Sequence, residues 1–119
     1  RNREMYVYDR ANALAQDIKE SSEFKEYKAL KDEVMADATN KDLIRQYKTL
    51  QFEAQAALMT GGKPSDDTMD KLKKLGEVLA LNQKVTEFFA AEYKFQTIIS
   101  DVYKIIGDAC ELDTGIFDK

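Results

Sequence analysis

The chain contains no histidine, and that absence removes most of the chemistry that small proteins perform. Without an imidazole there is no Ser/His/Asp or Cys/His arrangement, and no Glu-x-x-His pair of the kind that holds di-iron in a helical bundle. Cysteine is almost as scarce. Cys110 is the only thiol, so no intrachain disulfide can form, and zinc would find a single soft ligand. Glycine and proline are too few for a phosphate-binding loop: Gly61-Gly62-Lys63-Pro64 lacks both the leading glycine and the Ser/Thr after lysine. Carboxylate-only catalysis stays open in principle, but no nucleophile–base constellation accompanies the acidic residues. No catalytic, cofactor or metal residue is assigned, and the expectation is a protein that is not an enzyme. No apolar run approaches the roughly 18 residues of a membrane span. Arg1-Asn2-Arg3-Glu4 precedes no signal-peptide apolar block, which points to the cytoplasm. Since the first residue is Arg1, residues before it are expected to have been trimmed or unseen. A net charge of −4 disfavours broad contact with a phosphate backbone.

What is present is helical periodicity. The pattern predicts an all-α protein, an antiparallel bundle of about five helices with a long C-terminal helix, in one domain over residues 1–119. The helices are placed at about 6–20, 23–36, 41–59, 66–81 and 83–110, with a loose tail over 111–119. Val7, Ala11, Leu14, Ala15 and Ile18 share a face of the first helix. Ser21-Ser22 breaks it and offers a cap to the second, whose stripe is Phe24, Tyr27, Leu30 and Val34. Asp37 to Asn40 is the next joint, where Thr39 or Asn40 can cap the third helix; its seam is Leu43, Tyr47, Leu50, Ala54 and Ala57. Thr60 to Ser65 is the strongest turn signal and makes the third and fourth helices antiparallel neighbours. Ser65 caps the fourth, Leu72, Leu75 and Leu79 face the core, and Asp67–Lys71 and Asp70–Lys74 are i,i+4 pairs facing water. Asn82 punctuates the last joint.

The last helix is the most informative element. Val85, Phe88, Phe95, Ile99, Val102, Ile106 and Ala109 form a seam interrupted only by Glu92. From Gln83 to Cys110 the helix would be about 42 Å long. A compact globule of this length is roughly 35 Å across. Phe89, Ile98 and Ile105 lie off the seam, so a second subunit is the economical cover. The expectation is a homodimer joined through the third and fifth helices, with Phe52, Met59, Phe89 and Ile98 as interface candidates.

Three further features have two readings each. Glu92 is either a buried polar residue, paired and fixing register, or a group that binds a partner or ligand. Lys41, Arg45 and Lys48 align on the third helix as a weak basic patch, read first as a solvated face and second as contact with RNA or an acidic partner. Cys110 reads most simply as a small buried hydrophobe, since redox or cluster chemistry would need a partner's thiols. Glu111, Asp113 and Asp118 are too irregular for a calcium loop.

Several segments together resemble the YlbF/YmcA family of small helical bacterial regulators, which includes YheA-like members. They are Val7 to Ala15, Ser22-Glu23-Phe24-Lys25-Glu26-Tyr27, Leu50-Gln51, Met59 to Ser65, Val85 to Phe95 and Asp101 to Gly107. The resemblance spans about residues 6–112 and rests on order and spacing, since no segment is a catalytic signature. It implies an all-helical, usually dimeric fold without enzymatic activity. It also implies a regulator that assembles with protein partners and adjusts messenger-RNA processing by ribonuclease Y, with effects on competence, sporulation and biofilm formation. The family's namesakes carry cysteines in a C-terminal extension associated with an iron–sulfur cluster. This sequence ends at Lys119 with one thiol, so cluster binding is not carried over, and a YheA-like paralogue fits equally well. The leading expectation is a non-enzymatic adaptor whose partners are itself and possible family members or RNA-processing proteins. The alternatives are a structural homo-oligomer with no regulatory client, and a weak RNA binder.

Overall fold

The structure, a computed structural model, describes residues 3–112, with side chains from Tyr6 onward. The described chain forms five helices and no strand: α1 (Arg3–Glu20), α2 (Ser22–Met35), α3 (Ala38–Met59), α4 (Asp66–Ala80) and α5 (Gln83–Ala109). The all-α expectation with a long last helix therefore holds. The expected loose tail beyond Leu112, including Asp113, Gly115 and Asp118, lies outside the described residues.

Each joint is made by a short polar side chain competing for backbone donors. Ser21 Oγ accepts from Phe24 N at 3.2 Å and donates to Ile18 O at 2.6 Å, ending α1 and starting α2. Ser65 Oγ accepts from Thr68 N at 3.0 Å. Asn82 Oδ1 accepts from Lys84 N and Val85 N at 3.0 and 3.3 Å. One cap differs from expectation. Neither Thr39 nor Asn40 starts α3; Asp37 does, its carboxylate accepting from Asn40 N at 3.0 Å. An ionised acceptor at a helix N-terminus also meets the macrodipole favourably, so α3 begins at Ala38.

Two helices end alike. Gly62 N donates to Ala57 O at 3.1 Å and Gly61 N to Leu58 O at 3.2 Å, with Gly61 at φ 86. At the end of α5, Leu112 N donates to Gly107 O at 3.0 Å and Glu111 N to Asp108 O at 3.4 Å, with Glu111 at φ 51. Both are Schellman ends, which need a left-handed residue just beyond the helix. Cys110 sits within the second of these turns and is exposed. That corrects its assignment as a buried hydrophobe: α5 stops one residue before it, and the turn carries the thiol outward.

The described chain groups into two compact units, one of residues up to Tyr27 together with those from Ala90, the other Lys28–Phe89. Within Lys28–Phe89, α3 packs on α4. Val34, Ile44, Leu79, Val85 and Phe88 form its buried core. Ile44 lies off the seam expected for α3, whose Leu43, Tyr47 and Leu50 are only half-buried. Tyr47 stacks on Phe89 with ring centroids 6.0 Å apart, and Gly76 of α4 lies against the same tyrosine. The Asp67–Lys71 and Asp70–Lys74 pairs form at 3.0 Å, both exposed.

Candidate functional site

The unit of α1, the start of α2 and most of α5 is held by an aromatic knot. Phe24 and Tyr27 each lie 5.2 Å from Phe95, centroid to centroid, tilted and stacked respectively. Lys94 reaches Glu26 at 3.8 Å on the same unit. Away from the knot the apolar surface is uncovered. Every α1 residue from Tyr6 to Asp17 is exposed, including Val7 and Leu14 of the stripe that should face a core. Along α5 the seam changes character with distance. Val85, Phe88 and Ala91 are buried, Phe95, Ile99 and Val102 half-buried, and Ile106 and Ala109 exposed. Ile105 beside them is 67% exposed. These α1 and distal α5 faces are the main site that periodicity alone assigned to a core.

The unit of residues 28–89 offers a second, shallower surface. An open groove between α3 and α4 is lined by Arg45, Gln46, Leu50, Lys71, Leu75 and Val78. Asn40, Leu43, Leu81 and Asn82 line a neighbouring depression, where Asn82 Nδ2 donates to Asn40 Oδ1 at 3.5 Å. Val78 and Leu81 are exposed; they end the apolar run Val78-Leu79-Ala80-Leu81, of which periodicity assigned only Leu79 to the core.

The expected interface residues divide between the two units. Phe52 and Met59 stand exposed on α3, at 70% and 81%. Phe89 is half-buried, held between Tyr47 and the Lys48 ammonium, which lies 5.6 Å from its ring centroid. Ile98 is half-buried on α5, in the other unit. Glu92 is half-buried rather than enclosed and is not without a partner. The described residues hold no fully buried polar or charged side chain. Lys41 and Arg45 are exposed, whereas Lys48 is half-buried over Phe89. The basic patch is thus two free-standing cations and one engaged in packing. Among the described residues no cluster of carboxylates and thiol has the arrangement of a metal site, and no helix is long and apolar enough to cross a membrane.

Comparison with known proteins agrees with this picture of an all-helical chain. Residues 7–111 match the family described as "Control of competence regulator ComK, YlbF/YmcA". A UPF0342 protein of Caldicellulosiruptor bescii is 36% identical over 95% of this chain and 98% of its own. Among solved structures, a protein of unknown function (DUF964) from Bacillus stearothermophilus superposes with a TM-score of 0.70 at 22% identity, covering 88% of this chain and 92% of that one. Bacillus subtilis RicA, solved in complex with RicF, superposes with a TM-score of 0.59 at 24% identity, covering 90% and 95%.

Proposed function

Since the chain belongs to the YlbF/YmcA family, we propose that it is a cytoplasmic, non-enzymatic adaptor that regulates through helix–helix contacts with other proteins. One observation carries the reading: large apolar side chains stand uncovered along α1 and distal α5. Soluble chains seldom leave such faces bare unless another protein occupies them. RicA, whose fold this chain shares, was solved in complex with another protein, RicF. The partners proposed are a second copy of the chain, other family members, and RNA-processing proteins. The family resemblance links such assemblies to ribonuclease Y-dependent messenger-RNA processing and through it to development.

Tagged protein recovered from its native bacterium should bring down a second, defined protein of these classes in near-stoichiometric amount. Recovery of the chain alone would leave only the structural homo-oligomer. In a deletion strain, transcripts cut by ribonuclease Y should show lengthened half-lives. Unchanged half-lives would remove the link to messenger-RNA processing while leaving the adaptor reading to the first experiment.

A further inference from the structure

Resting on the adaptor reading, we propose that the groove between α3 and α4 docks an acidic amphipathic helix of a partner protein. The groove lies wholly within residues 28–89. Its floor is apolar and uncovered: Leu50 and Leu75 are half-buried and Val78 is exposed. On α3 the lining residues Leu43, Gln46 and Leu50 stand at i, i+3 and i+7, and on α4 Lys71, Leu75 and Val78 stand at i, i+4 and i+7. Each set is one stripe of its helix. Two such stripes side by side leave a furrow that a third helix fills with apolar residues at the same spacings.

Length and backbone chemistry point to a helical occupant as well. The groove shares Val78 with the depression lined by Asn40, Leu43 and Leu81, so the two form one track. From Asn40 to Leu50 the track follows α3 for about 15 Å, or about three turns of helix. A helix laid along it satisfies its own backbone groups. Extended chain would bring unpaired N–H and C=O groups onto the apolar floor.

Charge selects the partner. Arg45, Lys71 and Lys74 line the groove, and none of its lining residues is acidic, on a chain whose net charge is −4. Arg45 is exposed and makes no ion pair among the described residues. Lys71 and Lys74 reach Asp67 and Asp70 at 3.0 Å, but these are exposed i,i+4 pairs, which contribute little and exchange readily for a partner's carboxylates. A docked helix also displaces water from the rim, and ion pairs strengthen as their surroundings become less polar. Asp or Glu flanking the apolar stripe of the partner would meet these cations, whereas a basic helix would be repelled by them. The apolar floor disfavours nucleic acid, which is bound chiefly through its phosphates.

Selection of peptides from a displayed random library against the full chain tests this without naming a partner in advance. The selected sequences should converge on Asp and Glu flanking apolar residues at i, i+3 or i+4 and i+7. Convergence on Lys and Arg, or no convergence, would overturn the proposal. Arg45→Glu and Val78→Asp should each weaken binding of the consensus peptide by about tenfold or more, whereas Lys41→Glu, on α3 but outside the groove, should leave it unchanged. All three positions are exposed, so the fold should survive each change. Equal binding by wild type and both groove variants would overturn the proposal. Displacement of the peptide by an oligouridylate would give the groove to RNA, and a changed oligomeric mass on Arg45→Glu would give it to a second copy; either result would overturn it. In the native bacterium, Arg45→Glu should reduce recovery of the partner protein. Recovery unchanged by that substitution would overturn the groove and leave the adaptor reading standing. Recovery of the chain alone by the wild type would remove the adaptor reading and this one with it.

Discussion

Gly76 illustrates how narrowly a single residue can be placed. It lies in the middle of α4, where glycine costs about 1 kcal/mol against alanine, and its neighbour across the helix pair is the Tyr47 ring. A Cβ built there would meet Tyr47 Cε1 at 3.5 Å, an ordinary contact. Gly76→Ala should therefore stabilise the protein by about 0.5–1 kcal/mol in a denaturant titration. A larger side chain should destabilise it by displacing the tyrosine from Phe89. Destabilisation by alanine would mean that α3 and α4 approach more closely than described. At the same scale, Cys110 and Glu92 show why isolated residues are hard to assign from sequence. The exposure of Cys110 follows from a turn that begins one residue earlier than expected, and that of Glu92 from what lies across from it, which is not encoded locally.

Among the elements, the helix ends allow a paired test. α3 and α5 finish in the same hydrogen-bonded turn, but the left-handed position is Gly61 in one and Glu111 in the other. A residue with a Cβ in that conformation costs roughly 1 kcal/mol or more. Glu111→Gly should relieve it and raise the stability of the end of α5, while Gly61→Ala should cost about 1 kcal/mol at the end of α3. Thermal melts of the two variants should move in opposite directions; movement in the same direction would show that one of the turns is not as described. The joints themselves were legible in the sequence. Ser21, Ser65 and Asn82 are polar residues between periodic stretches, and each caps the helix that follows. α3 was the exception: Asp37, Thr39 and Asn40 are all competent caps, and only the backbone geometry selects among them.

For the whole molecule, association with a second copy, one of the partners proposed above, makes stability depend on protein concentration, because assembly and folding are linked. The melting temperature should fall by about 3 °C for each tenfold dilution, the shift expected of a dimer of chains this long. A melting temperature that is constant across a hundredfold range would exclude a dimer coupled to folding. The dimer expected from sequence placed its contacts on α3 and α5 because Phe52, Met59, Phe89 and Ile98 all lie beside their seams. Positions beside a seam differ in burial. Phe89 is half-buried between Tyr47 and Lys48, while Phe52 is exposed.

Local physics accounts for what the amino-acid order determined by itself: helices with apolar stripes, polar caps between them, and the lack of the residue types that most catalytic sites require. Those properties depend on neighbours within about four positions, the reach of helical hydrogen bonds and side-chain contacts. Which stripes meet a partner within the chain was decided only by the tertiary structure. Val85 and Phe88 are buried, and Leu14 and Ile106 are exposed, although all four sit on stripes of the same spacing. Periodicity marks a face as needing cover, but the cover comes from residues distant in the chain or from another chain. Its position is set by how the helices pack.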